Sequence, residues 1–441
     1  MRKNYRNRLS FLLLCLIALC FPAFYAGKAT TSSEPVQLRK FPYPYRAMLS
    51  FTSDIDGTTP EEFVQYHRFL NTREQTPMGT GLGLDISDSF WMYMATNTAS
   101  YVDNQKRPAN AIMTYFHGID PTRPKDADRI KHYWQAGWID SMHSYGDFSR
   151  QNEQEGLCTR RLARAAWQEM QQAGIQPEIW INHGNRANKQ NFGSYRRFGF
   201  TSYQDGDNPR SPFYHTDIAV QNGVRFVWNS YSDFSFGTDT AIFPLHLRDG
   251  SRVWGFHRYG FNRTTKGTQW TWGPGAIHLQ LTPEHLNEII KRGQYSVVAQ
   301  HFGGGVEDVP FSEPNCKALR LLATYYYNGD ILVARTSRLL RYNLVQQYIR
   351  YTTIHKEDRT QIQIKALADP LFGYRDVRPD EIRGLTFYVK NPSQTDIFLG
   401  KRKLASSDIQ LNPPDQTGRA SISIKWFAPD VFDYSATAPH L

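Results

Sequence analysis

Cysteine is scarce in this chain of 441 residues, and the positions of its four cysteines exclude one class of metal site. No two of them are separated by just two residues, so the chain has no C-x-x-C pair from which a thiolate zinc site is built. Cys15 and Cys20 lie in an apolar N-terminal run. That leaves Cys158 and Cys316 as the candidates for a disulfide.

Two catalytic signatures and one kind of charge pattern are also missing. The chain has no G-x-S-x-G segment and no H-E-x-x-H segment, so no motif in the sequence indicates a serine esterase or a zincin. The formal net charge is +10, but half of it comes from five basic residues before residue 30. The remaining excess is spread along the chain, so we expect no nucleic-acid partner.

Residues 1–29 have the pattern of a secretory signal peptide. Basic residues at Arg2–Arg8 precede an apolar run at Leu9–Phe21, and small residues follow at Gly27–Ala29. An uncleaved anchor is the alternative, although the run is barely long enough to span a bilayer and Pro22 follows it. Positive charge ahead of the run places the bulk of the chain outside in both cases. We expect an exported protein, periplasmic or secreted, that meets the membrane only through such an anchor.

Residues 30–350 alternate short apolar segments with amphipathic segments, a pattern typical of βα units around a parallel sheet. About seven or eight such units favour an α/β fold with a distorted, closed or nearly closed (β/α) barrel. The predicted strands are 46–51, 81–85, 138–142, 178–182, 199–203, 224–228, 295–300 and 331–334, and the clearest predicted helices are 159–173, 283–292 and 315–328.

Residues 351–441 have a different pattern of apolar and polar residues. Segments 361–365, 385–390 and 420–426 alternate apolar and polar residues, which is typical of half-buried antiparallel strands. We predict a small all-β sandwich that packs against the barrel and supports it.

Acidic residues and histidines follow several of the predicted barrel strands. One histidine at a strand end is usually a structural residue, and one aspartate is usually a helix cap. Five such strand ends are harder to dismiss, because catalytic groups of parallel barrels gather where strands end. The residues are Asp54 and Asp56, His143 and Asp147, His183, Asp205 and Asp207, and His301.

These residue types suit a metal site. Asp54 and Asp56 are two residues apart, so they point to the same side of an extended backbone. His143 and Asp147 lie four apart and face one point if the loop makes one helical turn. With His183 they provide one carboxylate and two imidazoles, which suits Zn²⁺ in an open catalytic site, and other divalent metals remain candidates. The second carboxylate is then free as a base, and His301 as an acid.

The same residues resemble the motifs of the polysaccharide deacetylases of the NodB-homology type. Ser50–Gly57 is similar to the family's Thr-Phe-Asp-Asp-Gly, His143–Asp147 to its His-Ser-x-x-His, and Ser296–His301 to its late strand with a catalytic histidine. The resemblance covers roughly residues 40 to 350. It implies the distorted barrel shared with glycoside hydrolases, a divalent metal held by Asp-His-His, and removal of acetyl groups from glycans. It also implies Asp54 as the base, Asp56 as a ligand and His301 as the acid.

The chain departs from the family in three places. Ile55 separates the two aspartates, so their roles could be exchanged. Asp147 stands where the second ligand histidine is expected, so either Asp147 coordinates, or His183 supplies the missing imidazole, or the metal is lost. The family's Arg-x-Pro-Tyr segment has no clear counterpart, and residues 182–186 occupy about its place.

Aromatic segments at 89–93 and 259–275 suit the flat faces of sugar rings. We predict that Asp205, Trp228, Trp270 and Trp272 contact a polysaccharide or glycan substrate. Two alternatives stay open. A glycoside hydrolase would use two carboxylates, Asp54 or Asp56 with Asp147 or Asp205, and no metal. A glycan-binding or assembly protein would have lost its metal and its activity.

Overall fold

The computed structural model describes residues 35–97, 108–149, 158–184, 186–193, 204–228, 235–304, 309–356 and 358–438. The predicted signal peptide at 1–29 and the predicted strand at 199–203 lie outside these residues. No helix within the described ranges is long and apolar enough to cross a membrane. Residues Val36–Leu441 form one compact unit.

The chain folds as a mixed α/β protein, as predicted. The helices of the described residues are α1 (Pro60–Asn71), α2 (Ala127–Ala136), α3 (Arg160–Gln172), α4 (Thr216–Gln221), α5 (Ile277–Gln280), α6 (Pro283–Arg292), α7 (Glu313–Tyr327) and α8 (Thr336–Tyr348). Up to residue 333 the strands are β1 (Gln37–Leu38), β2 (Ala47–Ser53), β3 (Gln75–Thr76), β4 (Gly79–Thr80), β5 (Asp88–Phe90), β6 (Tyr93–Met94), β7 (Ile139–His143), β8 (Gly146–Asp147), β9 (Ile179–Ile181), β10 (Phe226–Trp228), β11 (Ile242–His246), β12 (Arg252–Phe256), β13 (Phe261–Thr264), β14 (Gly267–Trp270), β15 (Tyr295–Gln300) and β16 (Ile331–Val333). The later strands are β17 (Ile349–Lys356), β18 (Arg359–Asp369), β19 (Gly373–Arg375), β20 (Thr386–Tyr388), β21 (Thr395–Leu399), β22 (Arg402–Lys403), β23 (Ile409–Asn412) and β24 (Ser421–Ile424).

A mainly parallel central sheet forms the framework of the molecule. Its strands follow the order β11-β12-β10-β9-β7-β5-β2-β15, and β16 also pairs with β2. All of these pairings are parallel except the one between β11 and β12. All seven residues of β2 are buried, as expected for a parallel strand covered on both faces. The carboxyl ends of the parallel strands therefore meet at one edge of the sheet.

The two ends of this strand order come close through Tyr259, three residues after β12. Its backbone N–H donates to Val297 at 2.8 Å, and its carbonyl accepts from Ala299 at 2.9 Å, both in β15. Thr238, before β11, also exchanges two 2.9 Å backbone hydrogen bonds with Tyr295. These contacts bring the segment after β12 alongside β15 and thus near β2.

Most predicted strands and helices are confirmed, and α6 and β15 have the predicted bounds. Thr282 caps α6 by accepting from the His285 N–H, and Gly293 ends it with a left-handed φ of 62°. The strands between 242 and 270 were not predicted. Cys158 and Cys316 are both free and buried.

The predicted strand at 81–85 is wrong. Three backbone N–H groups of this segment donate to carbonyls at the end of α1: Leu82 to Phe69, Gly83 to Thr72 and Leu84 to Leu70. The last carbonyls of a helix have no partner within it, and here this segment satisfies them. The strand that joins the sheet is β5, which starts three residues later.

The strands from Ile349 onwards form two further sheets, one of which also includes β1. One has the order β17-β18-β21-β22, with β19 also on β18, and the other the order β1-β20-β24-β23. Ile362 and Ile364 of β18 lie in one buried apolar cluster with Ile179 and Ile181 of β9. The predicted change to β structure near residue 350 agrees with β17 starting at Ile349. A separate domain at 351–441 stays a prediction.

Candidate metal centre

Three strand ends of the central sheet bring polar side chains to one point. Asp54 and Asp56 directly follow β2, His143 is the last residue of β7, and His183 follows β9 by two residues. These strands lie in one parallel sheet, so their carboxyl ends share an edge. His143 is 1% exposed and His183 7%. The site is therefore shielded from water, although Asp56 keeps part of its carboxylate exposed.

Asp56, His143 and His183 form a compact triad. His143 Nε2 lies 2.9 Å from Asp56 Oδ1 and 2.9 Å from His183 Nδ1. His183 Nδ1 lies 3.3 Å from Asp56 Oδ2. One ligand atom from each residue falls within 4.8 Å of the others, a group that could hold a metal ion. The predicted contribution of His183 to such a site is thus supported by its place in the fold.

The donor set of the triad fits a cation. His143 Nδ1 donates to the Ile181 carbonyl at 3.2 Å, so its Nε2 is a lone-pair acceptor in the neutral ring. That acceptor faces Asp56 Oδ1, a buried oxygen without a hydrogen-bond donor among the described residues. Acceptor atoms that converge in a shielded place need a proton or a metal ion between them.

The charges around the triad favour a proton on His183 when no metal ion is bound. Burial opposes the charge of His183, but the Asp56 and Asp147 carboxylates raise its pKa to about 9. Burial likewise opposes ionisation of Asp56, yet His183, His143 and His301 hold the pKa of its carboxyl well below the usual range. A proton on His183 and a negative charge on Asp56 therefore stabilise each other, and a divalent cation would compete for the same place.

Asp54 has a partner that the sequence did not reveal. Arg258 Nη2 lies 3.0 Å from both Asp54 carboxylate oxygens and donates to the Thr52 carbonyl at 3.2 Å. Arg258 is 2% exposed, and its guanidinium lies 4.4 Å from the ring centroid of Trp228. This buried pair places Asp54 Oδ1 3.9 Å from His143 Nδ1. In the sequence, the only sign of this contact was that Arg258 follows an apolar segment by two residues. That segment, β12, was not predicted as a strand.

His301 stands on the other side of Asp56. Its Nδ1 donates to the Trp272 carbonyl at 2.9 Å, which leaves Nε2 directed towards Asp56 Oδ2 at 3.7 Å. Burial disfavours its charge, but the hydrogen bond and charge of Asp56 raise its pKa to about 9. The predicted role of His301 as an acid stays a prediction, and its place beside Asp56 is compatible with it.

Asp147 lies outside the triad, on β8. Its Oδ1 atom is 3.6 Å from Nε2 of His183, the ring nitrogen that points away from Asp56. β8 pairs with β6, and a Cβ on Gly146 would meet the Tyr93 carbonyl oxygen at 1.8 Å. Only glycine fits that close approach, which fixes the backbone directly before Asp147.

Trp91, which follows β5, was not predicted as part of the site. Its ring stacks on His143 at an interplanar angle of 12° and packs edge-on against His183, with centroids 5.2 Å apart. It is 2% exposed. Trp91 thus forms an apolar wall that strengthens the electrostatic interactions of the two imidazoles. The available signal was its position in the aromatic segment 89–93, although β5 itself was not predicted.

The predicted substrate-binding residues lie in three different environments. Trp270, on the β13–β14 hairpin, is 51% exposed and packs 4.3 Å from Trp272, whose carbonyl binds His301. Trp228 is buried beneath Arg258. Asp205 accepts from Asn208 at 3.2 Å and lies 3.8 Å from Arg248. The hairpin aromatics thus combine exposure with proximity to the candidate site.

Taken together, the strand ends provide a carboxylate–imidazole triad that could hold a metal ion, with Asp54 paired to Arg258 and His301 close to Asp56. No family model, curated protein or solved structure matches the chain.

Proposed function

We propose that this protein is an exported, metal-dependent hydrolase that removes acetyl groups from a polysaccharide or glycan. The observation that carries the proposal is the convergence of Asp56, His143 and His183 between a candidate base and a candidate acid. Zn²⁺ is the ion that best suits two imidazoles and one carboxylate. When bound there, it would supply Lewis-acid activation of the acyl group and of a water molecule.

The residues around the triad have complementary roles. Asp54, held by Arg258, accepts a proton from the attacking water. His301, held by the Trp272 carbonyl, donates a proton to the departing sugar nitrogen or oxygen.

We also infer that the central sheet is a distorted (β/α) barrel. The backbone hydrogen bonds of Tyr259 with β15 support this closure, because they join the segment after β12 to the strand next to β2. Closure accounts for the contact of Arg258 with Asp54, since it brings the end of β12 next to the end of β2.

The substrate side of the proposal rests on the β13–β14 hairpin. Trp270 presents an exposed face, and Phe261 and Trp272 pack behind it with ring centroids 4.2 Å and 4.3 Å away. Such a face suits the apolar side of a sugar ring. Because Trp272 also holds His301, a sugar on the hairpin would lie near the proton donor.

The experiment is a zinc measurement combined with an acetate-release assay. We expect about one zinc ion per chain, and acetate release from N-acetylglucosamine oligomers or an O-acetylated polysaccharide that a chelator stops and zinc restores. His143→Ala should lose both the zinc and the activity, because it removes one of the two imidazole ligands.

His355→Ala is the matched control, because His355 lies exposed on β17, where its Nδ1 is 3.2 Å from the Thr360 hydroxyl. It should keep zinc and activity. Acetate release by zinc-free protein would contradict the proposal. Cleavage of glycosidic bonds without acetate release would replace it with the glycosidase alternative.

A further inference from the structure

The carboxylate of Asp147 is anchored by its own loop and a neighbouring one. Its Oδ1 accepts from the Ser149 N–H at 2.9 Å and from Asn188 Nδ2 at 3.3 Å. The Ser149 hydroxyl lies 2.7 Å from both carboxylate oxygens. Together with the pairing of β8 to β6, these bonds fix both the position and the orientation of the carboxylate.

The imidazole of His183 lies between two carboxylates. Its Nδ1 faces Asp56 at 3.3 Å, and its Nε2 faces Asp147 at 3.6 Å. An ionised carboxylate only accepts hydrogen bonds, so Asp147 favours a proton on Nε2. A neutral ring with its proton on Nε2 has its lone pair on Nδ1, the atom that points into the triad.

We propose that Asp147 is a positioning residue, which orients His183 so that Nδ1 binds the cation and which does not itself coordinate. The inference rests on the metal site of the proposed function. Carboxylates in this position hold a ligand imidazole in one tautomer and make it a stronger ligand. The imidazole that the family resemblance leads us to expect at position 147 would thus come from His183, after β9. The carboxylate of Asp147 would hold that imidazole in place.

Two observations separate this role from direct coordination. Among the described residues, the atoms that could share a metal ion come from Asp56, His143 and His183, without Asp147. The Asp147 oxygens already accept hydrogen bonds from Ser149 and Asn188. These bonds hold Asp147 next to Nε2 of His183, so a ligand role would require the carboxylate to move to the Nδ1 side of that ring.

The test compares zinc affinities of the wild type, Asp147→Asn and Asp147→Ala by competition with a chromophoric chelator. We expect affinities weakened by about 10–100-fold, with the smaller loss in Asp147→Asn, whose side-chain oxygen can still accept from Nε2. Each variant should still bind one zinc ion at saturation. X-ray absorption should show two imidazoles and one carboxylate in wild type and Asp147→Asn alike.

Asp120→Asn is the matched control. Asp120 Oδ1 accepts from the N–H and hydroxyl of Thr122, the same local turn that Asp147 forms with Ser149. It should keep the wild-type zinc affinity. The thermal midpoint of metal-free Asp147→Asn should stay close to that of Asp120→Asn, since a merely structural role would lower it.

Three results would overturn the inference. Asp147→Asn could bind zinc as tightly as Asp120→Asn, it could fail to bind zinc at saturation, or its zinc could lose an oxygen ligand. A wild-type chain that binds zinc through two imidazoles and one carboxylate, yet releases no acetate, would overturn the proposed function and leave the role of Asp147 standing.

Discussion

Two carboxylates in different regions of the molecule have opposite kinds of partners. Glu381, among the C-terminal strands, is 4% exposed, and both of its oxygens accept from the Arg375 guanidinium, at 2.6 and 2.9 Å. Asp56, at the edge of the central sheet, faces two imidazoles whose ring nitrogens also face each other at 2.9 Å. The first arrangement is complete by itself. The second needs a cation or a shared proton.

This difference indicates which buried polar groups mark a functional site. The Arg375 guanidinium is permanently charged, and its two hydrogen bonds to Glu381 stabilise the fold around them. At Asp56, by contrast, the carboxylate and the two imidazoles compete for one proton. The charge of this group therefore depends on whether a proton or a cation is bound between them. We therefore expect chemistry to depend on the strand ends of the central sheet, and stability to depend on the apolar core shared with the C-terminal strands.

The largest effect is expected for Asp54→Asn. The substitution keeps the shape of the side chain but removes the base, so acetate release should fall by about 10²–10⁴-fold, with zinc content unchanged. The matched control is Asp396→Asn, because Asp396 pairs at the surface with Arg359 and Lys403. That control should keep full activity. Normal turnover by Asp54→Asn would remove Asp54 from the catalytic role.

The convergence of Asp56, His143 and His183 could be predicted from the sequence, because each follows an apolar strand and parallel strands end at one edge. The contact of Arg258 with Asp54 could not, since 204 residues separate them and β12 was not recognised. The place of Asp147 depends on which nitrogen of His183 faces inward. The orientation of the His183 ring depends on three-dimensional packing, and it cannot be predicted from the spacing of residues in the sequence.

A smaller effect, on stability alone, is expected for Ile364→Ala. Ile364 is fully buried in β18 and shares a cluster with β9 residues, so its truncation should lower the free energy of unfolding by about 2–5 kcal/mol. Zinc affinity should not change. Leu411→Ala, at a position 54% exposed on β23, is the control and should change stability by at most about 0.5 kcal/mol.

The form of the unfolding curve tests the predicted domain boundary. Since the apolar cluster joins β9 to β18, we expect the wild type and Ile364→Ala to unfold in one transition followed by both near-UV and far-UV dichroism. Two separated transitions, with the earlier one shifted by Ile364→Ala, would show instead that residues 351–441 unfold as a domain of their own.

The smallest effect concerns the pH dependence of zinc binding. The pKa of His183 is raised from 6.5 to about 9 by Asp56 and Asp147 against the cost of burial. In the metal-free protein the protonated imidazole therefore stabilises the fold below about pH 6.5, and this contribution is lost as the pH rises through about 9. Zinc must displace the same proton, so its apparent affinity should rise by up to about tenfold per pH unit between about pH 7 and 9.

Calorimetry in buffers of different ionisation enthalpy should show about one proton released per zinc ion at about pH 7.5. Zinc binding without proton release would mean that His183 is neutral before the metal arrives, and the charge balance between Asp56 and His183 would have to be revised.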